Sequence, residues 1–277
     1  MTGFAINEFN GTSAGNGGRS LSAGICEIVE RHVSAMVCRE KQPVPGILLE
    51  SAKDPAVRQM LEKYDKNGIR LYASDFTLDM GIPTVGVMAW DPSTFPEKSE
   101  IVWTAGTCPN PEKAFSRALS ETAQLGGDFN TGSNFVASGL PKYRTIKDAR
   151  YITHPDRQVN IFDLPDISDV NIRVEVENCL SRLSERGFAV ISVATTHPEL
   201  EIPAFYTMIP GAHFRERAAG TSVGMFSCKL ILENNPPTAA ARQLADIAKR
   251  LPHAYYVPFY QGLAHLNRED PETAKRY

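Results

Sequence analysis

The sequence predicts an α+β fold in which mixed or antiparallel sheets pack against helices. Three observations predict it: amphipathic stretches with a period of three to four, short β-rich runs that succeed one another as a meander, and single helices that interrupt those runs. Composition permits such a fold. The chain has 277 residues, of which 42% are hydrophobic and 22% charged, enough to bury a core without a disulfide or metal staple.

The elements follow in order. Phe4-Ala5-Ile6 reads as an extended piece, and the stretch from Asn10 to Gly18 is rich in turn formers. From Ser20 onward Leu21, Ile25, Val29, Val33 and Met36 recur at steps of four and three, which predicts a helix to about Cys38. Asp54 followed by Pro55 opens a second helix, and Asn67-Gly68 stops it. A strand follows over Ile69 to Phe76, then two more over Thr84 to Trp90 and Ile101 to Thr104, parted by a proline-bearing loop. Together they predict an antiparallel meander.

Asn110-Pro111 supplies an N-cap and a first-position proline for a helix reaching about Leu125, with Ala114, Phe115, Ala118 and Leu119 as its apolar stripe. Residues from Gly126 to Leu164 read mainly as loop, with a short strand near Val159 to Phe162. A helix from about Asp169 to Arg186 ends at Gly187 and feeds strands at Phe188 to Ala194 and Ala204 to Ile209. This repeats the helix, glycine, strand, loop, strand order of residues 55 to 90. Helices at Pro237 to Leu251 and Tyr256 to Leu266 and a third helical start at Pro271 close the chain. The expected division is a main domain over residues 1–251 and a helical extension over 252–277. The pattern of the extension resembles the opening of a tetratricopeptide-like helical pair, and one such unit cannot bury its own faces.

A formal net charge of -3 argues against nucleic-acid or anionic-membrane binding, both of which need an excess of cations. No signal-like segment opens the chain and no run of about 18 apolar residues occurs, so a cytoplasmic, membrane-free protein is expected. The cysteines Cys26, Cys38, Cys108, Cys179 and Cys228 are scattered and read as reduced core residues. The six histidines form no H-x-x-x-H pair, and Ser120 lacks the G-x-S-x-G turn, so zinc hydrolase and serine hydrolase chemistry find no support. His213, Arg215 and Arg217 read as part of a solvated turn.

Chemistry concentrates on two helices. On the first, Gly24, Glu27 and Arg31 share a face, with Glu30 one turn from Glu27. A glycine-rich loop precedes that helix, and backbone N–H groups at a helix start suit phosphate oxygens, although the G-K-[ST] of a P-loop is absent. On the second, Arg117, Glu121 and Gln124 form a polar stripe set apart from the apolar one. Each pattern alone also describes an ordinary solvent-facing helix with supporting ion pairs.

Taken together, Asn-Gly-x-Ser-Ala-Gly-Asn with Ser13 and Asn16, the E-x-x-E-R of Glu27, Glu30 and Arg31, and the R-x-x-x-E-x-x-Q of Arg117, Glu121 and Gln124 resemble the YcaO family in order and spacing. The resemblance runs from about Phe4 to Leu251. It implies ATP and Mg2+ as cofactors, with phosphorylation of a peptide amide oxygen so that a thiol, hydroxyl or sulfide can attack. It assigns Glu27, Glu30 and Glu121 to the metal and Ser13, Asn16, Arg31, Arg117 and Gln124 to the nucleotide. The outcomes it implies are cyclodehydration, thioamidation or support of ribosomal protein methylthiolation. The alternative is a YcaO-like protein that binds nucleotide or peptide without turnover. It also implies a peptide or protein substrate and an accessory protein, TfuA-like or a peptide-recognition partner. Many family members carry a glutamate where Arg19 or Ser20 stands here, and a further glutamate-bearing helix upstream, so the chain is expected to hold only part of the domain. Self-association as a homodimer is expected to cover the surface so left.

Overall fold

Along the chain the elements are β1 (Phe9–Thr12), α1 (Gly17–Glu40), β2 (Gly46–Ile47), α2 (Pro55–Lys66), β3 (Arg70–Asp75), β4 (Thr84–Trp90), β5 (Val102–Thr107), α3 (Pro111–Leu125), α4 (Arg150–Thr153), β6 (Gln158–Val159), α5 (Ile172–Glu185), β7 (Ile191–Ala194), β8 (Ala204–Met208), α6 (Val223–Asn234), α7 (Pro237–Arg250), α8 (Tyr256–Leu266) and α9 (Pro271–Ala274). The computed structural model describes residues 9–12, 17–41, 43–125, 143–213 and 223–277. They fall into two compact units that divide between residues 216 and 217.

In the larger unit β3, β4 and β5 form the predicted antiparallel meander, which β2 and β6 extend to the order β5-β4-β3-β2-β6. β2 runs antiparallel to β3 and parallel to β6. This sheet is covered on both faces, which is why β4 is buried almost throughout. On one face Val85 and Val87 pack with Phe115 and Leu119 of α3 and Val57 of α2. On the other, Met88 and Trp103 pack with Ile25, Val29 and Val33 of α1 and with Cys179 and Leu183 of α5. Alternation along each strand sends successive side chains to opposite layers.

α1 is thus held between two sheets, because β1, β8 and β7 form an antiparallel sheet in that order on its far side. The approach is close. A Cβ at Gly24 would fall 2.9 Å from Thr207 Oγ1, so glycine lets the helix lie directly on β8. Gly106 plays the same part for α3 on β5: a Cβ there would lie 2.4 Å from Ala114 O and 2.4 Å from Ala118 N.

Local signals worked where they are strong. Asp54 caps α2 by accepting from the N–H groups of Ala56 and Val57 at 2.8 and 3.2 Å. α5 followed by β7 and β8 does repeat the order of α2, β3 and β4, and both strand pairs are antiparallel. Elsewhere the structure differs from expectation. The strand expected from Phe188 begins only at Ile191, since Gly187 takes φ 77° and the Phe188 N–H closes the end of α5 on Leu183 O. The segment from residue 143 to 164, expected mainly as loop with a short strand near Val159 to Phe162, has that strand earlier, at Gln158–Val159, and contains helical turns at Ile146–Ala149, Arg150–Thr153 and Ile161–Asp163, two of them opened by capping boxes at Thr145 and Asn160. Residues 126–142 lie outside the described residues. α6 had no sequence-based expectation.

In the smaller unit α6, α7 and α8 pack around Cys228, Leu244, Tyr256, Val257 and Ala264, and α9 packs on α8. The expected division at 251/252 falls between α7 and α8, which lie in this one unit. Among the described residues no helix is long and apolar enough to cross a membrane.

One buried side chain in the larger unit gives a pH test. His32 of α1 accepts at Nδ1 from the His213 N–H at 2.9 Å, stacks on the His213 ring and meets Phe188 edge-on. Burial, then the neighbouring His213, pulls its pKa down to about 4, with Arg39 adding to this and Asp79 opposing it. The unfolded chain takes up this proton near pH 6.5 and the folded chain does not, so stability falls as pH drops from about 6.5 towards 4. His32→Gln is expected to flatten the decline in melting temperature between pH 7 and 5. An unchanged slope would show that His32 does not titrate in this way.

Candidate functional site

α1 presents Glu27, Glu30 and Arg31 on adjacent positions of one face because they are three and four residues apart. The Nε and Nη2 atoms of Arg31 both reach Glu27 Oε1 at 2.9 Å. The other carboxylate oxygen, Oε2, faces Nη2 of Arg117 at 3.8 Å. Arg117 arrives on α3, which packs on the opposite face of the five-stranded sheet from α1. The end of β5 also contributes directly: the Thr107 N–H donates to Glu30 Oε2 at 3.0 Å. The Thr107 hydroxyl is tied to Thr84 Oγ1 at 2.7 Å, which fixes the strand end that holds Glu30.

Glu30 is electrostatically strained. Burial and, next, the Glu27 carboxylate push the Glu30 pKa up to about 8, and Glu121 adds to the rise. Arg117 and the Thr107 N–H pull it the other way. A divalent cation relieves repulsion of this kind. The donors suit magnesium, a hard cation that takes one or two carboxylates and completes its shell with phosphate oxygens and water. Among the described residues no three His, Cys, Asp or Glu side chains stand close enough to hold an ion by themselves.

Beside the cluster lies a cleft of about 620 Å³, lined by Arg19, Cys26, Thr107, Lys113, Arg117 and Glu175 among others. Ser22 Oγ donates to Glu175 Oε1 at 3.2 Å, joining α1 to α5 at its edge. Thr107, Lys113 and Glu175 were not singled out from the sequence. For Thr107 no sequence signal exists, because its backbone makes the contact. All five cysteines are free thiols; Cys26 is hydrogen-bonded to Cys179, which together with burial holds its thiol in the protonated form.

The structure brings Glu27, Glu30, Arg31 and Arg117 together. Glu121 is exposed on α3 and acts on Glu30 by charge, while Gln124 is exposed three residues further on. Ser13 and Asn16 lie outside the described residues, as do Arg215 and Arg217.

A family model described as YcaO cyclodehydratase, ATP- and Mg2+-binding, matches residues 1–213. The chain belongs to the YcaO family. The two motif helices of this YcaO chain are α1 and α3. An uncharacterized protein of Methanothermobacter thermautotrophicus is 23% identical over 210 residues, covering 73% of this chain and 55% of that protein. An uncharacterized protein encoded in the tfuA 3' region of Rhizobium leguminosarum bv. trifolii is 24% identical over 220 residues, covering 73% and 51%. The chain thus spans about half the length of the curated relatives it matches.

Among solved structures, a heterocyclase in complex with substrate and cofactor superposes with a TM-score of 0.66 at 22% identity, over 74% of this chain and 28% of that one. The YcaO protein of Methanopyrus kandleri bound with AMPPCP and Mg2+ gives 0.58 at 23% identity, over 73% and 55%. At this level of identity the likeness establishes the α+β YcaO fold.

Proposed function

We propose that this YcaO chain binds Mg-ATP at the Glu27, Glu30, Arg31 and Arg117 cluster and serves activation of a peptide backbone amide. The observation that carries the reading is the meeting of two carboxylates from one turn of α1 with a guanidinium from α3 at the edge of a cleft. When bound, Mg-ATP supplies the phosphoryl group that makes an amide oxygen a leaving group. Glu27 and Glu30 hold the metal, with Glu121 adding negative charge. Arg31 and Arg117 neutralise phosphate oxygens, joined by Ser13, Asn16 and Gln124 on the strength of the family motif. The outcomes this serves are cyclodehydration, thioamidation or ribosomal protein methylthiolation.

The substrate is a peptide or protein, and a TfuA-like or peptide-recognition protein is its companion. The genomic setting named for the Rhizobium relative supports the first of these companions. A homodimer is supported by β7, where Ile191 and Val193 are 47% and 48% exposed. The free thiols support a cytoplasmic location.

A second reading, binding without turnover, is favoured by Arg19, a cation that lines the cleft at a position where the family resemblance leads one to expect a glutamate. One experiment separates the two readings. A non-hydrolysable ATP analogue is expected to raise the melting temperature only when Mg2+ is present, because a ligand of the folded state must stabilise it. Phosphate release from ATP with a candidate peptide then marks turnover. A shift without phosphate release favours the binding protein, and no Mg2+-dependent shift removes turnover and nucleotide binding alike, leaving only peptide binding.

A further inference from the structure

We propose that Arg117 is the counter-ion of the metal-free site: it rests on Glu27 until a divalent cation takes that carboxylate, and its guanidinium is then freed for the phosphates of the incoming nucleotide. This rests on the Mg-ATP reading of the cluster.

The two arginines on Glu27 are not equivalent. Arg31 holds Oε1 through two nitrogens at 2.9 Å from the same helix, one turn away. Arg117 reaches Oε2 through one nitrogen at 3.8 Å from a different helix, and its side chain is 45% exposed against 28% for Arg31. A long, single, solvent-screened contact is the weaker of the two and is the one a competitor displaces.

Magnesium is a strong competitor for that oxygen. It carries twice the charge of a guanidinium and sits at about 2.0–2.1 Å from a carboxylate oxygen, so both cations cannot share Oε2 without repelling each other. Arg117 has somewhere to go, because it also lines the cleft, near Lys113 and Arg19. Released from Glu27, its charge stays in the cleft, where a phosphate would meet it. The exchange makes Arg117 a positioning device: it neutralises the carboxylates when the metal is absent and the nucleotide when the metal is present.

The consequence is a trade between metal and nucleotide affinity. Removing the charge at position 117 removes the competitor, so Arg117→Gln is expected to bind Mg2+ more tightly in the absence of nucleotide, by about two- to fivefold, the worth of an exposed ion pair. The same variant is expected to bind the magnesium complex of a non-hydrolysable ATP analogue more weakly. Arg117→Lys, which keeps the charge, is expected to leave Mg2+ affinity near that of the unaltered protein. A merely structural role for Arg117 would instead lower the melting temperature in both variants and leave the metal affinity unmoved.

The test is calorimetric titration of the full chain with magnesium chloride alone, then with the magnesium complex of the analogue, alongside melting temperatures. Tighter Mg2+ binding by Arg117→Gln at an unchanged melting temperature is the result expected. Equal or weaker Mg2+ binding by that variant overturns the exchange, as does the absence of saturable Mg2+ binding in every protein. If the unaltered protein also fails to bind the magnesium complex of the analogue, the nucleotide-site reading fails with it. If it binds that complex, only the exchange is lost.

Discussion

Gly106→Ala is expected to be the most damaging single-methyl change in the larger unit, lowering the free energy of unfolding by about 3 kcal/mol or more. The added Cβ would fall 2.4 Å from Ala114 O and 2.4 Å from Ala118 N and 2.9 Å from Arg117 Cβ. Two of these neighbours are main-chain atoms of α3, so no side-chain rotation can make room, and the whole helix must lift from β5. Lifting it parts Phe115 and Leu119 from Val85 and Val87 and breaks the bond from the Thr104 hydroxyl to Ala118 O, 2.9 Å long and buried. Urea denaturation followed by circular dichroism checks the loss. Because Arg117 rides on the same helix, any folded remnant is expected to lose Mg-nucleotide binding as well. A variant within about 1 kcal/mol of the unaltered protein, the usual scale of a tolerated core swap, would show that α3 is not locked to β5 at this glycine.

Glu27→Gln and Glu30→Gln are expected to abolish Mg2+-dependent nucleotide binding while leaving the protein folded. The binding loss is expected at about 100-fold or more, since even partners one step removed from a metal cost 10- to 100-fold when changed. The fold should tolerate Glu27→Gln because the arginines it releases are 28% and 45% exposed and can be hydrated, a cost of about 1 kcal/mol or less. Glu30→Gln should be tolerated better still. The amide oxygen can go on accepting the Thr107 N–H, and the substitution removes a carboxylate that burial and Glu27 already drive towards its protonated form. Its melting temperature near pH 7 is expected to equal or exceed that of the unaltered protein, as when a strained functional group is neutralised. Calorimetry with the magnesium complex of an ATP analogue decides the matter. Unchanged affinity in both variants would remove these glutamates from the site.

By itself the sequence determined the local pieces of this YcaO chain: α1 from its apolar steps, α2 from Asp54 and Pro55, the meander from its alternating β-rich runs, and α3 from Asn110-Pro111. These signals span a few residues and act through caps, φ restriction and periodicity, so they survive without knowledge of the rest of the chain. The E-x-x-E-R spacing likewise placed Glu27, Glu30 and Arg31 on one turn. Tertiary structure alone decided what those residues meet. Glu30 and the Thr107 N–H are 77 residues apart, and the contact uses a backbone group that no side-chain pattern marks. The Glu27 and Arg117 pair joins helices 90 residues apart in sequence, on opposite faces of the five-stranded sheet, where Gly106 lets α3 lie close on β5. The two-residue strands β2 and β6 pair in parallel across more than a hundred residues of chain; β2 is too short for a periodicity to announce it, and no local signal announces the pairing. Such contacts are fixed by long-range register and layer packing, which are properties of the assembled chain and not of any window along it.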